Sequence, residues 1–198
     1  FDELAYMNIQ RGARVFLQNN TVLTSYECEG KMWQGVRVWG TTSTAQNSIT
    51  AHGRLNMNNS EINNAHIGVA LNRTVFNGSV YNAIVGGTTG GIIQAINSRF
   101  NNNIIDAQFL RYTPNSQSVF SNCVFQTNQL INNGANPNAH IILNSVNNIN
   151  ILGCDFNNLT NYTTYPVTQR GIGISSANSN FKVTFRCLST VVIGNPCN

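Results

Sequence analysis

Apolar and polar residues alternate along this chain in short runs of roughly 3 to 5 residues, and apolar residues never recur at helical spacing. Four runs share one phrase: SEINN at 60–64, SRFNN at 98–102, CVFQT at 123–127 and CDFNN at 154–158. Each is a small residue, a variable one, an Ile or Phe, then amides or hydroxyls. Five positions before the small residue stand Leu55, Ile93, Ser118 and Ile149, and three before it stand Met57, Ala95, Phe120 and Ile151. The unit therefore predicts two short strands joined by a bend.

The small residues at 60, 98, 123 and 154 are 38, 25 and 31 residues apart, and self-similarity at such periods marks a solenoid or a propeller. Propeller blades need four longer strands in hairpins, and the paired turn signals for them are missing. A parallel β-helix fits, with short strands stacked about 4.8 Å apart from coil to coil. In that frame Ile62, Phe100, Phe125 and Phe156 point inward as a ladder. Ser60, Ser98, Cys123 and Cys154 share that face as small fillers, and Glu61, Arg99, Val124 and Asp155 face water, with Glu61 and Arg99 placed for a surface ion pair. Asn suits the corners because it tolerates left-handed backbone geometry; in the last phrase, Asn157 and Asn158 are the expected corner.

The runs 65–72, 139–144 and 170–177 read as third strands, and 12–28 and 32–40 as the first coils. Loops are expected at 41–48, 77–91, 132–138 and 159–166. The whole predicts an all-β fold, a parallel β-helix of five to seven coils, forming a single domain over 1–198. It reads as a segment of a larger protein.

Composition changes this picture in one respect. Hydrophobic residues make up 41% of the 198 residues and charged ones only 9%, well below the roughly 25% of ordinary soluble domains. The polar surface must come from amides and hydroxyls, chiefly the 34 Asn. The 11 Lys and Arg and 7 Asp and Glu give a net charge of +4. The basic residues are scattered singly, which argues against nucleic acid and leaves an acidic polysaccharide allowed. No apolar run approaches the roughly 20 residues of a membrane span. The five cysteines, Cys28, Cys123, Cys154, Cys187 and Cys197, contain no C-x-x-C pair, so no zinc site is expected; Cys187 and Cys197 are spaced to close a short loop.

Residues 12–40 carry Gly12, Ala13, Cys28, Met32, Trp33, Gly35, Val36 and Val38. In these the chain resembles right-handed parallel β-helix proteins secreted by Bacteroidota, often large surface proteins with a type IX sorting domain. The resemblance implies a right-handed helix and a secreted or cell-surface location, not an activity.

Catalysis has thin support. Of the seven acids, only Glu61 and Asp155 share a surface column, with two copies, at Arg99 and Val124, between them. His52, His66 and His140 lie in separate coils and read as exposed polar residues, not as metal ligands. Alternation points Glu27 and Glu29 away from Cys28. No catalytic residue, metal or cofactor is therefore expected. The surface candidates are Arg37 and Trp39: with Val36 and Val38 facing the core, both lie on the outer face, where a Trp beside an Arg suits a sugar ring or a partner. The expected function is a non-catalytic structural or binding module for adhesion or glycan contact, with the rest of a parent protein or a capping chain as partner. The alternative is a β-helix polysaccharide lyase or hydrolase.

Overall fold

The computed structural model describes residues 1–25, 30–75, 83–158 and 170–184. They form a right-handed parallel β-helix of three sheets, with five complete coils and two strands of a sixth. The first coil holds β1 (Tyr6–Ile9), β2 (Arg14–Leu17) and β3 (Val22–Leu23); the second, β4 (Gly35–Val38), β5 (Arg54–Asn58) and β6 (Glu61–Asn63). The third runs through β7 (Ile67–Ala70), an antiparallel hairpin of β8 (Thr74–Val75) and β9 (Ala83–Ile84), then β10 (Ile92–Ile96) and β11 (Arg99–Asn101). The fourth has β12 (Ile105–Phe109), β13 (Tyr112–Asn115), β14 (Val119–Ser121) and β15 (Val124–Thr127). The fifth has β16 (Ala139–Asn144), β17 (Val146–Leu152) and β18 (Asp155–Asn158), and the sixth begins with β19 (Ile172–Ala177) and β20 (Asn180–Thr184).

The first sheet is β1-β4-β7-β12-β16-β19. The second is β2-β5-β10-β14-β17, with β13 and β20 also on β17, and the third is β3-β6-β11-β15-β18. The runs expected as third strands are thus first-sheet strands, an accident of where the coil is taken to begin.

The repeated phrase is the bend from the second sheet into the third. Ile62, Phe100, Phe125 and Phe156 lie in direct register. Ile62, Phe100 and Phe125 are buried and Phe156 half-buried, each full burial being worth roughly 1.5 to 3 kcal/mol. On the second sheet Leu55 pairs with Ile93 and Met57 with Ala95, then Phe120 and Ile151. Ser118 breaks this apolar run, yet its fully buried hydroxyl accepts a hydrogen bond from the Ile93 amide.

At one equivalent position of the bend each of the five coils has a left-handed residue, Asn20, Asn59, Asn97, Asn122 and Gly153, with φ from 48° to 64°; in the first coil Asn19 is left-handed too, at φ 56°. This corrects the expectation for CDFNN, where Asn157 and Asn158 remain extended in β18 and Gly153, just before the phrase, makes the turn. The small residue that follows has a specific task. Ser60 Oγ donates to Asn58 O at 3.0 Å and Ser98 Oγ to Ile96 O at 2.8 Å. The thiols of Cys123 and Cys154 donate to Ser121 O and Leu152 O at 3.5 and 3.6 Å. Hydroxyl and thiol alike give the carbonyl two residues back a side-chain donor at the bend, and the carbonyls of Ile96, Ser121 and Leu152 also accept the amides of Asn59, Asn97 and Asn122 from the neighbouring coil. They are donors across a corner, and not only small fillers.

Glu61 and Arg99 are register neighbours, but no ion pair joins them among the described residues. At the surface such a pair is worth at most about 1 kcal/mol, too little to fix two long side chains.

Candidate functional site

The corner between the first and second sheets is where the coils differ. In the first, fifth and sixth coils it is short, turned by left-handed Gly12, Ser145 and Asn178. In the middle three coils it opens into long connections at 39–53, 71–91 and 110–118. Three consecutive coils thus project loops from one edge, and the loops lock together as a shoulder.

His52 is the pin. It is fully buried, with Nδ1 2.7 Å from Gly90 O and Nε2 2.9 Å from Thr44 O. Burial lowers its pKa from the usual histidine value, opposed by hydrogen bonds to the carbonyls of Gly90, Thr44 and Ala45. The Tyr112 hydroxyl donates to the same Thr44 carbonyl at 2.8 Å, and its ring meets His52 edge-on at 5.9 Å. Gln46 donates to Gly90 O at 2.9 Å and accepts from the Gln117 amide. Gly90, at φ 91°, packs so closely on Tyr112 that a Cβ there would lie 2.5 Å from the ring.

Arginines line this edge. Arg11, Arg14, Arg54, Arg73 and Arg111 all come from the corner or its loops, and no ion pair engages any of them among the described residues. Of the described acids, Asp2 and Glu3 precede β1, Glu61 and Asp155 lie on the third sheet, and Asp106 is buried at the opposite corner. Arg14 and Arg54 stack in register. Burial, then the charge of Arg14, holds Arg54 below the usual arginine pKa. In sequence these residues are isolated; the coil period brings them to one edge.

The shoulder contains a cleft of about 210 Å³ lined by Gln10, Arg11, Trp39, Arg73 and Thr88. Arg11 is anchored, Nε donating to Gly40 O at 2.8 Å and Nη2 to Gly87 O at 3.0 Å. The Arg73 guanidinium lies over the Trp39 ring, 4.7 Å from its centroid. Trp39 Nε1 is buried and has no acceptor among the described residues.

This geometry corrects one of the two surface candidates. Arg37 is only 1% exposed. The connection after β7 folds over the outer side of β4, and Arg37 Nε donates to Thr74 Oγ1 at 2.7 Å. It is a strut beneath the shoulder and not a surface cation. Trp39 does reach a cleft, but its cation is Arg73, 34 positions downstream, and one coil on in the stack. Arg73 falls between the run 65–72 expected as a strand and the loop expected at 77–91, so neither its place nor the ring it meets was legible in the sequence.

The histidines are also placed differently from expectation. His140 Nδ1 is 2.6 Å from Asp106 Oδ2, and Asn103 Nδ2 donates to Asp106 Oδ1 at 2.8 Å and to Ile62 O at 3.0 Å. Asp106 is buried, which raises its pKa against the opposing hydrogen bonds from His140 and Asn103. A His–Asp pair suggests nucleophilic catalysis, but no hydroxyl or thiol hydrogen-bonds the other ring nitrogen among the described residues. The ring instead faces Phe125 and Phe156, at centroid distances of 6.3 and 5.9 Å. The trio secures the corner from the third sheet to the first. His66 is half-buried; burial lowers its pKa, with the charge of Glu3 opposing.

Glu61 and Asp155 are three register steps apart, through Arg99 and Val124. At about 4.8 Å per step they stand about 14 Å apart, beyond the roughly 5 to 9.5 Å of glycosidase carboxylate pairs. No three His, Cys, Asp or Glu side chains converge as metal ligands among the described residues. Glu27, Cys28, Glu29, Cys187 and Cys197 lie outside the described residues. Cys123 and Cys154 are free thiols in adjacent coils; the hydrogen bond with Cys154, then burial, raises the Cys123 pKa.

Comparisons with known protein families, with curated proteins and with solved structures find no match.

Proposed function

We propose that this chain is a non-catalytic binding module of a secreted or cell-surface protein: a rigid β-helix that contacts glycans through its shoulder. The observation carrying this reading is the three-loop shoulder, with its cleft of Gln10, Arg11, Trp39, Arg73 and Thr88. Loops displayed on a rigid scaffold are where binding surfaces usually arise. A cleft with two guanidinium groups, one of them laid over an indole, and an amide carries donor chemistry that suits sugars. Among the described residues, nothing beside it supplies the paired carboxylates of a hydrolase.

Secretion is supported by the amide-rich, charge-poor surface and by the resemblance of residues 12–40 to Bacteroidota surface proteins. In that reading Met32, Trp33, Val36 and Val38 are the buried first-sheet side of the motif. A further coil or a capping chain is the neighbour proposed for β1, β2 and β3, the edge strands of their sheets among the described residues.

The test is to measure binding of the 198-residue chain to immobilised glycans of varied charge while following ultraviolet absorbance for unsaturated products and reducing ends for hydrolysis. Saturable binding without turnover is expected. Turnover of any glycan, or failure to bind every one, would overturn the proposal.

A further inference from the structure

Resting on the glycan-binding reading, we propose that the ligand is a polyanionic glycan. One carboxylate or sulfate is held between Arg11 and Arg73, and the chain continues along the arginines of the shoulder.

The first argument is the state of the two guanidinium groups. Arg73 is held by a cation–π contact with Trp39, and an aromatic ring supplies no oxygen lone pair, so among the described residues the guanidinium donors have no acceptor. Arg11 spends Nε and one Nη2 donor on backbone carbonyls, which fixes its plane and leaves its remaining N–H groups for the cleft. Two positioned guanidinium groups with unused donors are suited to an oxyanion, which takes charge-assisted and often bidentate hydrogen bonds. Trp39 therefore acts as the platform that orients Arg73, and the ring face that was the expected sugar platform is occupied by the arginine.

The second argument is repetition. Arg14 and Arg54 stand in register on β2 and β5, a like-charge contact that costs stability where no anion offsets it. Arg111 lines the adjoining depression with Gly87, whose carbonyl Arg11 binds. Cations recurring from coil to coil along one edge, with no acid among the described residues there, match an anion that is itself repeated along a polymer.

The third argument concerns the kind of polymer. The cleft is about 210 Å³, below the roughly 300 to 1,000 Å³ of pockets that enclose drug-sized ligands, so it takes one small unit of a longer ligand. Gln10 adds a neutral amide suited to hydroxyls, while the Thr88 hydroxyl is spent on the protein, donating to Val85 O and accepting from the Arg73 amide. Among the described residues the cleft offers no stacking platforms for successive bases, which single-stranded nucleic acid would use: its one aromatic ring is already covered by Arg73.

Titration calorimetry on the full 198-residue chain tests this with three oligosaccharides of equal length: a polyuronate, a sulfated glucan and an uncharged glucan. The variants are Arg73→Gln, Arg11→Lys, which keeps the charge but loses the guanidinium fork, and Arg99→Ala. The last removes one exposed positive charge on the third sheet and serves as the charge-matched control. Circular dichroism confirms folding of each. At least one anionic oligosaccharide is expected to bind and the uncharged one not to bind. Arg73→Gln and Arg11→Lys should each weaken binding about tenfold, Arg99→Ala less than twofold, with affinity falling as salt rises. The better of the two anionic ligands identifies the carboxylate or the sulfate as the natural group. Equal binding of the uncharged glucan would overturn the anion assignment while leaving glycan binding intact, and binding of no glycan would remove both. An Arg99→Ala loss equal to that of Arg73→Gln, or equal affinity for an oligothymidylate, would reduce the effect to unspecific charge and overturn the site.

Discussion

Phe125 lies flat on Phe100, with ring centroids 4.9 Å apart and planes 8° apart, and repeats the same geometry on Phe156. The column is continuous through three coils, so its middle member carries two contacts. Phe125→Ala should cost about 3 to 5 kcal/mol, the range for a fully buried aromatic, and Phe156→Ala distinctly less because its ring is half-buried. Urea denaturation midpoints of the two variants check this; equal losses would mean that the column does not act as a stack.

Asn97 turns its corner at φ 48° with an exposed side chain. The side chain has no hydrogen-bond partner among the described residues, so its value is conformational. Asn97→Ala should cost about 1 to 2 kcal/mol, the penalty of a left-handed L-residue, and Asn97→Gly should be close to neutral. Thermal denaturation of the pair separates a backbone effect from a side-chain one; a Gly variant as unstable as the Ala variant would refute it.

His52 pins two shoulder loops through the carbonyls of Gly90 and Thr44. Both carbonyls keep another donor, Gln46 and Tyr112, so His52→Ala should cost only about 2 to 3 kcal/mol. The loss should be local. Amide exchange is expected to accelerate at Gly40, Gly53 and Gly90, whose N–H groups bond within the shoulder, while β10 and β11 stay protected. Uniform acceleration through the coils would show that the loops and the helix unfold together.

Burial raises the pKa of Asp106 above its ordinary value of 3.8. Between that value and its raised folded value, the native chain holds a proton that the unfolded chain has released. The associated stability is therefore present at acidic pH and is lost as pH rises through the folded value. Relative to Asp106→Asn, which cannot titrate, the natural chain should gain stability as pH falls from 7 toward 4. Urea midpoints measured at several pH values check the difference; a constant gap would show that Asp106 has the same pKa folded and unfolded.

The ladder was legible because it depends on local alternation repeated at every coil. The positions of Ile62, Phe100, Phe125 and Phe156 follow from counting along four phrases, and the register pairs those same residues. The corner was read one phrase too late at Asn157 and Asn158, since either side of the small residue can hold a left-handed Asn; Asn59 and Asn64 both do. Arg37 was misread for a different reason. Alternation places it on the outer face of β4, and no local pattern reveals that a connection beginning 34 residues later folds over that face.

The sequence by itself determined the coil: its alternation, its left-handed Asn corners, its aromatic column and the hydroxyl or thiol that follows each bend. These are short-range preferences imposed on one repeating unit, so they can be read wherever the unit recurs. The tertiary structure alone decided which singly scattered residues meet. Arg11, Arg14, Arg54, Arg73 and Arg111 share an edge because coils of unequal length still stack in register, and the spare residues of three coils all leave at one corner. Asp106 meets His140, 34 positions away, for the same reason. The sequence interval between such partners varies with the loops between them, whereas the spacing of the stack stays at about 4.8 Å, and that constant rise is what assembles the candidate site.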